Sequence, residues 1–157
     1  MWRVVSRNGL IGSVIFSLIV LGSWAFYPDV WMSDLTEGAI AAPQTPLTYF
    51  IFLGVMGSII GPSVMGSWQY ASLQETTFFG RFLVAWLIAT VISFADLIVV
   101  DYLVYMWIYP SFMQVEGIEP MHNYGKHFLH TLNGVLVGVP IALIAAFMTG
   151  FLKPKLK

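Results

Sequence analysis

The chain has 157 residues, of which 58% are hydrophobic and 10% charged, against about 25% charged in an average soluble domain. Seven Lys/Arg and eight Asp/Glu cannot cover a soluble surface of this size, which excludes a cytosolic enzyme and a secreted domain. The net charge of −1 leaves no basic footprint for nucleic acid, and zero Cys excludes disulfides, thiolate metal sites, Fe–S clusters and Cys nucleophiles.

A mean hydropathy of +0.80 makes lipid the solvent, and a helix needs about 20 apolar residues to cross the hydrocarbon core. Arg3 and Arg7 precede a first uncharged span over 9–27. The same stretch has an alternative reading as a cleaved signal, with Ser23-Trp24-Ala25 at the cleavage site. The loop 28–46 holds Asp29, Asp34 and Glu37 and no base; a short interfacial helix is expected from Asp34 to Glu37, ended by Ala41-Ala42-Pro43. A second span over 47–68 carries Gly61-Pro62 and a stripe of Gly54, Gly57 and Gly61. Arg81 separates it from a long third span, 82–109, which holds Asp96 and Asp101. The loop 110–130 contains Glu116, Glu119, Lys126 and all three His, and the fourth span, 131–152, contains Gly134, Gly138 and Pro140. Lys153, Lys155 and Lys157 close the chain.

Continuous apolar runs, with every backbone group paired inside its segment, mean helices rather than a barrel. The expected fold is all-α, an integral membrane four-helix bundle in a single transmembrane domain. Six of the seven bases fall on one side of the four-span arrangement. The positive-inside rule then puts both termini in the cytoplasm, and the expected location is the bacterial inner membrane. Trp2, Trp68 and Trp86 fall near the inner surface. Trp24, Trp31 and Trp107, with Tyr27, Tyr49, Tyr102, Tyr105 and Tyr109, fall near the outer one, as expected of rings with polar tips. Small residues let membrane helices approach closely. The Gly54/Gly57/Gly61 stripe, Gly134/Gly138 and Ser13/Ser17 therefore mark contacts within the bundle or within a homo-oligomer. Pro62 and Pro140 are expected to kink their helices.

The ionisable residues gather at the outer side. At about 1.5 Å per residue Asp96 lies roughly 21 Å into the third span and Asp101 roughly 28 Å. A carboxylate at that depth is costly unless it is protonated or partnered. Five residues apart on an α-helix, the two acids point about 140° apart and do not share one small site without distortion. Asp96 shares a face with Ser93 and Ala89, and Asp101 reaches Tyr105 at i+4. His127 and His130 share a face if the fourth helix starts early, and Asn133 continues it; His122, Tyr124 and Lys126 are nearby.

Three readings compete for this cluster. His127, His130 and Asp96 or Asp101 would hold a divalent metal, as ligands of a membrane-embedded enzyme or redox subunit. The same Asp96, Asp101, His127, His130 and Asn133 would form a proton or ion relay, since imidazole is the side chain that ordinarily changes charge in the physiological range. The plainest reading is a buried Asp–His hydrogen bond with no further role. Bis-His haem is not expected, because no other span supplies a His. No G-x-S-x-G, P-loop, G-x-G-x-x-G or H-E-x-x-H occurs.

Phe94-Ala95-Asp96-Leu97-Ile98-Val99-Val100-Asp101-Tyr102 and Tyr124-Gly125-Lys126-His127-Phe128 resemble segments of a family of small bacterial four-helix membrane proteins. The likeness covers the second half, 82–152. That family has no established activity, so the resemblance implies a four-span inner-membrane protein and favours Asp96, Asp101 and His127 as functional residues. The expected role is accessory or transport, with the lipid bilayer and a homo-oligomer or larger membrane complex as partners.

Overall fold

A computed structural model of the chain describes residues 1–31, 45–73, 76–114 and 124–151. The expected interfacial helix at Asp34–Glu37 lies outside the described residues, as do Glu116, Glu119, His122 and the three C-terminal lysines. Four helices are long and apolar enough to cross a membrane: α1 Trp2–Phe26, α2 Pro46–Leu73, a third running Phe78–Ile108, and α4 Tyr124–Phe151. No strand occurs among the described residues. The third helix changes character along its length. It is α-helical over Phe78–Ala95, here α3, and continues as a π-helix over Asp96–Ile108. Short 3₁₀ turns follow α1 (Pro28–Trp31) and the π segment (Ser111–Met113).

Local chemistry accounts for the helix ends. Thr45 caps α2 by accepting the Thr48 N–H at 3.2 Å, and Pro46 sits at the first helical position, where its missing N–H costs nothing. Thr77 caps α3 by accepting the Gly80 N–H at 3.1 Å. The π segment stops at Tyr109, which turns left-handed (φ 38°, ψ 67°) and donates to the Val104 carbonyl at 2.8 Å; Pro110 then disfavours any continuation. α1 and α4 extend well ahead of their apolar cores, to Trp2 and Tyr124. Hydropathy finds the apolar middle of a helix and misses its polar first turns.

The helices alternate in direction. α3 packs against all three others, while α1 and α4 occupy opposite corners. Where α1 crosses the bundle it does so on glycine. A methyl group at Gly9 would stand 2.8 Å from Val91, and one at Gly12 would collide with Ile92 and touch the ring of Pro62. α4 meets α3 in the same way, with Gly134 against Ser93 and Gly138 against Ala89. Both prolines lie inside unbroken helices. Gly57 and Gly61 have open space beside them, so that part of the stripe faces away from the bundle.

The two ends of the bundle differ in chemistry. At one end Asn8 is buried and donates to Val4 O and Gln69 Oε1, both at 2.8 Å. Ser67 and Thr149 share a buried hydroxyl contact at 2.9 Å. Arg81, also buried, donates to the carbonyls of Ala146 (3.2 Å) and Thr76 (3.3 Å). Trp86 departs from its expected place in the inner aromatic belt: it is half-buried between α3 and α4 and donates to the Val135 carbonyl at 3.2 Å.

Candidate functional site

At the other end, three elements enclose a cavity of about 100 Å³: α1, the π segment and the start of α4. Because α4 starts at Tyr124, His127 lies on its inward face and is buried. Its Nδ1 stands 3.1 Å from Asp101 Oδ2, with the two side chains 10% and 18% exposed. The carboxylate thus accepts a hydrogen bond from Nδ1–H, which leaves Nε2 as the ring's second nitrogen. Nε2 is buried and has no protein partner. The Tyr105 ring lies against the imidazole, with centroids 5.6 Å apart.

The backbone decides which side chains meet here. On an α-helix Asp96 and Asp101 diverge; in this structure both line the cavity. The π-helix is the reason. Its i→i+5 bonding widens the turn, so residues five apart lie much nearer one face than on an α-helix, and Asp96, Val100, Asp101 and Tyr105 all line the cavity. Both acids reach one cavity, and the distortion that this takes is the π winding itself. Such winding is rare and recurs at functional sites. Asp101 is paired with His127 across the helix interface.

Other expected members divide. His130 lines the cavity but is exposed on the shoulder of α4. Lys126 lines it as well. Asn133 is exposed and does not reach it, because Thr131 and Gly134 carry the inward face after His127. Among the described residues no three His, Asp or Glu side chains are grouped so as to hold a metal ion.

Sequence reasoning missed the wall that α1 supplies. Trp24 was expected in the outer lipid belt; it is 5% exposed, stacks on Tyr105 at 5.5 Å and on Trp31 at 6.0 Å, and lines the cavity. Its indole N–H is buried without a protein partner, whereas that of Trp31 is satisfied by Ser23 Oγ at 3.1 Å. The buried Ser23 hydroxyl, eight residues before Trp31, is the one sequence signal that could have pointed to this wall. Tyr105, likewise expected in the belt, is 1% exposed. Trp107 and Tyr49 are exposed at the surface as expected. Tyr102 ties the π segment to α4 through its hydroxyl, which donates to Tyr124 O at 3.3 Å.

Two buried nitrogens without partners, Trp24 Nε1 and His127 Nε2, thus border a cavity that two carboxylates also line. Buried polar atoms without protein partners ordinarily bind water, and roughly 10–15 Å³ accommodates one water centre. The cavity is large enough to hydrate a proton-exchanging group. No family model matches this chain, and no curated protein or solved structure is significantly similar to it.

Proposed function

We propose that this is a small multi-pass membrane protein of transport type that takes up and hands on protons or small cations at the Asp101–His127 pair. The observation that carries the reading is the 3.1 Å contact between Asp101 and a buried imidazole whose second nitrogen has no partner among the described residues, at a cavity that Asp96 and Asp101 both line. A proton arriving at Nε2 would make both ring nitrogens donors, with the Asp101 carboxylate accepting from Nδ1. Asp96 supplies a second acid one π-turn away, and Lys126, His130 and Tyr105 are the other titratable groups at the cavity. The divalent-metal alternative, with His127, His130 and Asp96 as ligands, has less support, since those side chains do not form a three-ligand group.

The reading places the chain in the bacterial plasma membrane with both termini in the cytoplasm. Its support is the charge distribution: Arg3, Arg7 and Arg81 lie at one end of the bundle and the acid–imidazole pair at the other. Four helices enclose little volume, so transport calls for an oligomer or a larger complex. Gly57 and Gly61, open on the outer face of α2, are compatible with one.

Reconstitution into liposomes loaded with a pH-sensitive dye tests the proposal. The wild-type chain is expected to dissipate an imposed proton gradient, and Asp96→Asn and Asp101→Asn to lose that flux. If both variants carry wild-type flux, the acids are structural and the reading fails.

A further inference from the structure

The opposite end of the bundle holds a second cavity, of about 250 Å³, between the start of α1 and the end of α2. Its polar lining is Arg3, Arg7, Gln69 and Ser72. Arg3 and Arg7 are four residues apart and share a helix face. Arg7 Nη2 donates to Gln69 Oε1 at 2.6 Å, and buried Asn8 donates to the same atom at 2.8 Å. Two donors converging on one amide atom identify it as the oxygen. The Gln69 NH₂ is therefore the amide's other end and remains a donor. Ser72 has its proton on the Gln69 carbonyl at 2.8 Å. Among the described residues no carboxylate lies within ion-pair distance of either arginine. The cavity is thus lined by two arginines and an amide, and the Arg7 guanidinium is tied through Gln69 to the buried Asn8.

Its position selects the anion. α1 runs 25 residues, about 37 Å, so Arg3 and Arg7 sit in its terminal turns, at headgroup depth for a helix that spans the bilayer. Leu73, which lines the cavity, is 71% exposed, and further along α1 Trp2 and Leu10 also present exposed apolar side chains. Guanidinium binds phosphate oxygens in a bidentate fork, and basic pockets between membrane helices bind anionic headgroups. We propose that Arg3, Arg7 and Gln69 bind the phosphate group of an anionic phospholipid, whose acyl chains lie along the exposed apolar faces of α1 and α2. The site is independent of the proton-handling pair at the other end.

Native mass spectrometry of the full chain in mild detergent, with phosphatidylglycerol or phosphatidylcholine added, tests this. Wild type is expected to retain phosphatidylglycerol in preference to phosphatidylcholine. Retention should fall roughly fivefold per arginine removed. Arg3→Gln leaves the Arg7–Gln69–Asn8 network intact, so its loss of retention cannot come from unfolding; Arg3→Gln/Arg7→Gln should lose more. Equal retention of phosphatidylglycerol by Arg3→Gln and wild type would overturn the proposal. So would displacement of the lipid by inorganic phosphate at millimolar concentration, which would mark a site for a soluble anion.

Discussion

Arg81 carries a permanent charge at 9% exposure, and the fold tolerates it only because carbonyl oxygens surround it. The guanidinium lies where the last turns of α4 present their carbonyls, the negative end of that helix. Gly150 makes room for it, since a methyl group there would stand 3.0 Å from Nη2. Replacing Arg81 with Met should lower stability by about 1.5–3 kcal/mol, the worth of hydrogen bonds from a charged donor, measured by unfolding in mixed micelles. Arg81→Lys should recover only part, because a point charge cannot bridge the Ala146 and Thr76 carbonyls at once. Read from the sequence, Arg81 is a loop base on the cytoplasmic side. Nothing in its neighbours reveals that it is buried, because its partners are backbone atoms 65 and five residues away. The Asp101–His127 pair is half legible in the same sense. Depth counting places acids and imidazoles at one level; only the packing chooses Asp101 over Asp96 as the imidazole's partner.

Helix contacts in this bundle are set by where a Cβ is absent. Gly12→Ala drives a methyl group into Ile92 and the Pro62 ring and should destabilise by about 1–3 kcal/mol, the usual cost of overpacking. Gly57→Ala meets nothing and should be neutral, or stabilising by up to about 1 kcal/mol through helix propensity. Comparing the two variants in the same micelle titration checks the assignment, and a loss at Gly57 equal to that at Gly12 would contradict it. All four long apolar helices were legible, because runs of apolar residues long enough to cross lipid have few other uses. The π winding was not. Leu97–Ile108 is apolar on nearly every side, so its composition contains no periodicity that separates i→i+4 from i→i+5 bonding. The Trp24 wall was hidden for a related reason: Trp near a span end reads as belt whether it faces lipid or a neighbouring helix.

Across the whole molecule the ends are chemically opposite, and that polarity is what an orientation experiment reads. The chain has no Cys, so single-cysteine variants report without background. Tyr27→Cys is expected to label with a membrane-impermeant thiol reagent in intact cells, and Ser72→Cys only after permeabilisation. The reverse pattern would invert the proposed topology and move the acid–imidazole pair to the inner side. The two cavities would then exchange surroundings as well, so the lipid and proton measurements would have to be read from opposite faces.

The π segment also governs which changes of length the chain can accept. Ile98, Leu103 and Ile108, five apart, are all exposed, while Val100 and Tyr105, also five apart, are buried. Removing one residue between Asp96 and Asp101 would rotate everything downstream by one position, taking Tyr105 off the imidazole and swinging a surface side chain inward. Substitutions between like residues would be absorbed; a single deletion would not, although almost every residue concerned is apolar. Tolerance along 96–108 therefore follows the wider winding of the π segment, set against the 3.6 residues per turn of the helix just before it.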